Sequence, residues 1–148
     1  MISSLDIDSS IFYPRFTEYF GLTFVNRARN LDLAVKQHLK KFPHSSVVNL
    51  GAGMDTGYFR INDSEVKWYD IDLPEAIGLK RKFVDETPNY IFIEKSVMDF
   101  TWFSKIDYTK DRGIIFLAGG LFMYFRKSEI IILLKKLAEI FPGGQDYF

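Results

Sequence analysis

A glycine-rich turn followed by an acidic residue is the part of this chain best suited to bind a ligand. Gly51-Ala52-Gly53 follows the apolar run Val47-Val48-Asn49-Leu50 and precedes Asp55. Such a sequence is typical of a buried parallel strand that ends at a nucleotide and continues into a helix. The two glycines allow a tight turn and place no Cβ between the backbone amides and a ligand. The turn therefore predicts a nucleotide-type binding site.

Two aspartates follow this turn at the spacing expected of a carboxylate that binds ribose. Asp70 and Asp72 come about 20 positions after the first glycine, where a carboxylate accepts hydrogen bonds from both sugar hydroxyls. This spacing alone does not distinguish a dinucleotide from S-adenosylmethionine. A dinucleotide site favours a third glycine where this chain has Thr56, and Gly57 comes one position late. Asp55 would also repel a pyrophosphate, so the local chemistry favours S-adenosylmethionine.

The composition excludes several other kinds of chemistry. The chain has no cysteine and two histidines, His38 and His44, so disulfides, thiolate catalysis and cysteine-ligated metals are excluded and no metal site is predicted. Lys plus Arg and Asp plus Glu both number 19, so no net charge attracts nucleic acid or an anionic membrane. The sequence shows no secretory signal, and no apolar run reaches the ~20 residues of a membrane helix. We therefore expect a cytoplasmic protein.

Alternating helices and strands are predicted to position these residues. The spacing of apolar residues over 25–42 predicts an amphipathic helix that Pro43 ends. Asp72 and Ser128 are predicted to cap two later helices. The predicted strands are 47–50, 66–71, 90–94 and 113–118, and the later helices are 55–61, 72–84 and 128–140. This order predicts an α/β, Rossmann-like doubly wound parallel sheet of about four strands in the order 3-2-1-4.

The first part of the chain gives weaker signals. Pro14 is predicted to interrupt any helix that begins near it, and the segment around it is rich in aromatic residues. We predict that residues 1–24 form a packing or lid segment. Residues 25–148 are predicted to form a single cofactor-binding domain.

Several motifs together resemble the leucine carboxyl methyltransferase family, which also includes polyketide O-methyltransferases. They are Arg27-Ala28-Arg29-Asn30-Leu31-Asp32, Val47 to Thr56, Trp68-Tyr69-Asp70-Ile71-Asp72-Leu73-Pro74, Ala118 to Phe125 and Phe141-Pro142-Gly143-Gly144. The resemblance implies a class I, S-adenosylmethionine-dependent O-methyltransferase acting on a carboxylate or hydroxyl of a small molecule or of a protein C-terminus. The family's sheet has seven strands, so this chain is expected to be a fragment that lacks strands five to seven.

The resemblance also implies, by position, which residues face the amino-acid part of the methyl donor. Gly51 and Gly53 would lie beside it. Arg27, or less favourably Arg29, would pair with its carboxylate, which a guanidinium fork fits well. The alternative for Arg27 is a solvated residue on the surface of its helix.

Three further residues are implied to hold the nucleoside. Asp72 would bind the ribose hydroxyls, Asp99 would accept from the adenine amino group, and Phe100 would border the adenine. Alternatively, Asp72 only caps its helix, and Asp99 is only a turn residue. Asp70 is interpreted as solvated or as a partner of the binding residues.

The chain departs from the family pattern at two places. Gly119 stands where many family members carry an acidic residue, and Gln145-Asp146-Tyr147-Phe148 stands where the family continues into an apolar fifth strand. Without a fifth strand, strand four would keep an exposed edge. That edge is a candidate site of self-association.

Three functional hypotheses follow. The first is the O-methyltransferase, for which no catalytic residue is predicted, although Tyr124 is the nearest candidate base for a hydroxyl acceptor. The second is a catalytically inactive remnant or cofactor-binding module of the same family. The third, an NAD(P)-binding domain, is disfavoured by Asp55 and by the displaced Gly57.

Overall fold

The computed structural model describes the backbone of residues 14–148 and the side chains of residue 22 and residues 25–148. The packing or lid role predicted for residues 1–24 therefore falls mostly outside the described residues. None of the helices in the described part of the chain has the length and apolar character that a membrane span requires.

The first helix is longer than the sequence predicts. Helix α1 spans Pro14–Lys41, so the predicted start at residue 25 is wrong. Pro14 opens the helix instead of interrupting it, because the first-turn amides of a helix have no acceptor and a missing N–H costs nothing there. The predicted end before Pro43 is confirmed.

Five parallel strands form one sheet in the order β3-β2-β1-β4-β5. The doubly wound parallel architecture and the order 3-2-1-4 are confirmed, and the strand count differs by one. The central pairing places Val48 opposite both Tyr69 and Phe116. The strands are β1 (Ser46–Leu50), β2 (Lys67–Asp72), β3 (Tyr90–Glu94), β4 (Ile114–Leu117) and β5 (Gln145–Tyr147).

Strand β5 overturns the prediction that strand four has an exposed edge, and with it the self-association predicted at that edge. Ile115 pairs with Gln145 and Leu117 with Tyr147, so β5 covers that edge. All three residues of β5 are exposed, so no apolar run marks this strand in the sequence. Gly143, at φ +90°, lies in the turn that leads from the last helix into β5.

Three shorter helices lie between the strands or after them. These are α2 (Gly57–Ile61), α3 (Pro74–Lys80) and α4 (Lys127–Ile140), together with 3-10 segments at Phe100–Lys105 and Phe122–Tyr124. Helix α3 ends at Lys80 and not at residue 84.

Two predicted helix caps are wrong. The N-cap of α3 is Leu73, because Asp72 is the last residue of β2 and its carboxylate accepts from the amides of Gly53 and Leu73 and not from one inside the helix. Ser128 lies inside α4, whose N-cap is Arg126. The backbone amide of Arg126 donates to the Glu129 carboxylate over 2.8 Å, so a residue three positions into the helix provides the cap.

Strands β1 to β4 are largely buried on both faces, while β5 at the edge is exposed. Side chains of successive strand residues alternate, so Val47 packs under Leu31 and Val35 of α1 while Val48 packs toward Leu133 of α4. Helices on both faces leave the carboxyl ends of the parallel strands together at one edge. In such sheets, that edge is where ligands bind.

Candidate functional site

A cavity of about 540 Å³ lies at the carboxyl edge of the sheet, beside the ends of the paired strands β1 and β4. The chain leaves these two strands toward opposite faces of the sheet, which is where ligands bind in such folds. Its volume suits a small-molecule site. The site residues predicted from the sequence that line it are Arg27, Gly51 and Asp72. The others in its lining are Leu73, Lys95, Ser96, Val97, Gly119, Gly120, Leu121, Met123, Tyr124 and Phe125.

The glycine turn after β1 requires glycine for two different reasons. Gly51 has φ +64°, and a Cβ there would come within 2.6 Å of Leu121 Cδ1. Its amide donates to the carbonyl of Ile71 over 2.8 Å, which ties the turn to β2. Gly53 has φ +49° with nothing within 4 Å of a Cβ, so its backbone faces open space. Packing therefore fixes the first glycine and leaves the second accessible.

Asp72 connects this turn to the start of α3. Its Oδ2 accepts from the Gly53 amide over 2.7 Å, and its Oδ1 accepts from the Leu73 amide over 2.7 Å. A carboxylate has about four acceptor sites, so two remain for further donors. The half-buried Asp72 can therefore receive two hydroxyl groups without losing either backbone contact.

Arg27 extends from α1 to the end of β4. A Cβ at Gly120 would lie 2.7 Å from Arg27 Nη1, so the guanidinium lies directly against this glycine. Both arginines are exposed, but Arg29, the less favoured alternative, is not among the residues that line the cavity. Of the two arginines, Arg27 is the one that the fold brings to Gly51 and Asp72.

Asp99 lies beside the cavity and not in its lining. Its Oδ2 accepts from Lys95 Nζ over 2.8 Å, while Oδ1 accepts from the Thr101 amide and hydroxyl. The bond from Lys95, helped by those from Thr101, lowers the pKa of Asp99 to about 2. Asp99 thus caps the 3-10 segment that begins at Phe100, and Lys95 connects it to the cavity.

Phe100 also lies outside the lining. Its ring stacks on Phe103 with centroids 5.4 Å apart and packs against the core on the α4 face of the sheet. The structure therefore does not bring Asp99 and Phe100 into contact with the glycine turn, and their adenine roles stay predictions.

Asp70 is the centre of a buried polar cluster. It is 1% exposed, and its carboxylate accepts from Trp68 Nε1 over 2.8 Å, from the Tyr90 hydroxyl over 2.7 Å and from Lys80 Nζ. Burial and the charge of Asp70 raise the pKa of Tyr90 above its ordinary range. The interpretation of Asp70 as solvated is wrong. Sequence reasoning also missed Lys80, which is 1% exposed and has no pattern that marks it as buried.

The charge of Asp55 is compensated within the fold. Its carboxylate accepts from Asn49 Nδ2 and from Arg60 Nη2, each over 3.1 Å. Repulsion of a pyrophosphate is therefore weaker than the sequence suggests. Gly57 has a packing role, since a Cβ there would lie 2.8 Å from the Trp68 ring.

The outer rim of the cavity is apolar and exposed. Met123 and Tyr124 are 73% and 80% exposed, and Leu73 is 52% exposed across the opening. Sequence reasoning missed Lys95 and Ser96, which also line the cavity, although their position directly after β3 was the available signal.

Comparisons with known proteins agree with this fold. The crystal structure of monomeric WbdD superposes with a TM-score of 0.55 over 76% of this chain and 29% of that one, at 19% identity. A likeness at this identity supports the fold alone.

Two similar sequences are named as methyltransferases. The tetracenomycin polyketide synthesis O-methyltransferase TcmP of Streptomyces glaucescens is 29% identical over 100% of this chain and 54% of its own length. The S-adenosyl-L-methionine-dependent methyltransferase dpfgK of Gibberella zeae is 27% identical over 89% of this chain and 51% of its own. The chain thus spans about half the length of these relatives. The sequence model of the leucine carboxyl methyltransferase family matches residues 13–138, most of the chain, and the chain belongs to this family.

Proposed function

We propose that this chain binds S-adenosylmethionine in the cavity at the carboxyl edge of the sheet and forms the donor-binding part of an O-methyltransferase. The observation that carries the proposal is the convergence of Arg27, Gly51 and Asp72 on that one cavity, with the Gly53 amide bonded to the Asp72 carboxylate. The named activities of the two relatives and the family of the chain support it.

The residues of the cavity suit the ribose, the amino-acid part and the adenine of the cofactor. Two acceptor sites of the Asp72 carboxylate suit the two hydroxyls of a ribose. The guanidinium of Arg27 suits a carboxylate, and the glycine turn leaves room for the amino-acid chain between them.

The remaining wall, beyond Asp72, suits the adenine. Val97 supplies an apolar surface to the cavity, with Lys95 and Ser96 beside it. Asp99 has acceptor capacity left after its three hydrogen bonds, so we assign it the adenine amino group, with Phe100 as its neighbour at the border of the ring.

The chemistry asks little of the protein beyond placement. S-adenosylmethionine supplies a methyl group on a sulfonium that is already activated. The residues of the chain must hold the donor in one orientation and exclude water from the reacting atoms. The apolar rim at Leu73, Met123 and Tyr124 is where we expect the acceptor. A carboxylate acceptor requires no base, and for a hydroxyl acceptor Tyr124 is the nearest candidate.

The experiment is a calorimetric titration of the chain with S-adenosylhomocysteine and, separately, with NAD⁺. We expect binding of the first and none of the second. Asp72→Asn should weaken binding about tenfold, because an amide replaces one acceptor oxygen with a donor. Asp63→Asn is the matched control, since the Asp63 carboxylate also accepts from a backbone amide, that of Glu65 over 3.0 Å, and does not line the cavity.

Absence of S-adenosylhomocysteine binding by the parent protein would contradict the proposal, and preferential NAD⁺ binding would support the dinucleotide hypothesis. An assay for transfer of a labelled methyl group to small carboxylates or phenols then distinguishes an active methyltransferase from a cofactor-binding module. Donor binding without transfer would favour the cofactor-binding module.

A further inference from the structure

We propose that Gly120 is a positioning residue for Arg27. The absence of a side chain at Gly120 leaves the space in which the guanidinium of Arg27 is held at the end of β4. The consequence of this inference, recognition of the carboxylate of the methyl donor, rests on the proposed function. Its geometric part concerns only the contact between these two residues.

The atoms that a Cβ at Gly120 would meet all belong to one group. The three nearest are Arg27 Nη1 at 2.7 Å, Cζ at 3.3 Å and Nη2 at 3.6 Å. A distance under 3.0 Å is one that real Cβ atoms essentially never show, so a methyl group there requires the guanidinium to move. Gly120 also has φ +92°, and its amide donates to the Ala118 carbonyl over 2.9 Å, which holds the turn tightly.

The neighbouring glycine serves a different contact. A Cβ at Gly119 would first meet Leu31 Cδ1 at 2.9 Å, and its nearest arginine atom would be Arg27 Nε at 3.9 Å. Gly119 therefore allows α1 to pack closely on β4, while Gly120 accommodates the charged end of Arg27. The two glycines that mark this strand end have separate functions.

The position of the guanidinium matters because Arg27 lines several adjoining cavities. Besides the cavity of about 540 Å³, it lines a second of about 430 Å³ that reaches Asn49 and Asp55 beside the glycine turn. An arginine on a helix surface has many rotamers, and ordering it costs side-chain entropy. A close contact with a rigid turn limits those rotamers before a ligand arrives.

The test compares Gly120→Ala with Gly143→Ala. Gly143 has φ +90° but nothing within 4 Å of a Cβ, so it carries the same backbone strain without a collision. Two probes are titrated by calorimetry: S-adenosylhomocysteine, which has the amino-acid carboxylate, and 5′-methylthioadenosine, which lacks it. Gly120→Ala should bind the first about tenfold or more weakly and the second within about twofold of the parent. Gly143→Ala should change neither.

Equal loss of both probes in Gly120→Ala, or unchanged binding of S-adenosylhomocysteine, would overturn the inference. A second measurement needs no ligand. Because the guanidinium is the far end of a flexible side chain, its displacement costs little stability. The melting temperature lost in Gly120→Ala should therefore match that lost in Gly143→Ala within about 5 °C; a clearly larger loss would show that the turn itself shifts and would refute a local displacement of Arg27. Failure of the parent to bind S-adenosylhomocysteine would refute the proposed function instead and leave this stability test valid.

Discussion

The buried ion pair between Lys80 and Asp70 offers a direct test of how β2 is held in place. Both side chains are 1% exposed, and Asp70 also accepts from Trp68 and Tyr90. The pair thus joins α3 to β2 and β3. In Lys80→Met the carboxylate would stay buried with two neutral donors and no cation, a change that typically costs about 3–5 kcal/mol. A domain is usually stable by about 5–15 kcal/mol, so this loss is a large share of the total.

Urea unfolding measures this effect. Far-UV circular dichroism reports the whole domain. Tryptophan fluorescence, recorded in a Trp102→Phe background shared by all variants, reports the cluster itself, because the Trp68 indole donates to Asp70. Lys82→Met is the matched control, since Lys82 is exposed just after α3 and its loss should change the free energy of unfolding by no more than ~0.5 kcal/mol.

A double variant distinguishes an unpaired charge from lost packing. Asp70→Asn combined with Lys80→Met removes both charges and keeps the shape of the side chain at residue 70, so it should recover about 1–2 kcal/mol of what Lys80→Met loses. A Lys80→Met protein within 1 kcal/mol of the parent, or a double variant less stable than Lys80→Met, would refute this account of the cluster.

Two further predictions concern titration. Burial lowers the pKa of His38 below 6.5, although the hydrogen bond to Gln145 acts in the opposite direction. The stability that neutral His38 contributes is therefore complete above pH 6.5 and is lost as the pH falls through the lowered pKa. The melting temperature should fall as the pH drops below 6.5, and less so in His38→Gln. The bond from Lys95 lowers the pKa of Asp99 to about 2, so the stabilisation by Asp99 is present above its ordinary 3.8 and is lost as the pH falls through about 2. Lys95→Met should raise that pKa in a carboxyl NMR titration, and an unchanged value would contradict the bond.

The sheet could be predicted from the sequence wherever its strands are buried on both faces. The predicted apolar run at 113–118 contains β4, whose four residues are all buried, because a strand covered on both sides must be apolar throughout. β5 could not be found in this way. Gln145 and Asp146 are polar and exposed, and their place in the sheet depends on pairing with β4, which no local pattern records.

The candidate site was predictable in so far as strand ends determine it. Gly51 and Asp72 line the cavity because each directly follows or ends a parallel strand, and such ends meet at one edge. The pairing of Lys80 with Asp70 was not predictable, since it joins a helix to a strand across the core. The place of Asp99 depends on the loop after β3, whose hydrogen bonds to Lys95 and Thr101 only the folded chain shows.

The two ends of the glycine turn are held by different forces, and this bears on what Asp72 does. Gly51 is fixed by close contact with Leu121 and by its bond to Ile71, so it needs no ligand to keep its conformation. Gly53 has open space around it, and a glycine without packing loses the most entropy when it is ordered. Its amide donates to the Asp72 carboxylate, and this bond holds Gly53 in place. Under the proposed function, the carboxylate that receives the ribose therefore also keeps the turn in shape before the donor arrives. Asp72 substitutions should consequently weaken recognition of the amino-acid part of the donor as well as of its ribose.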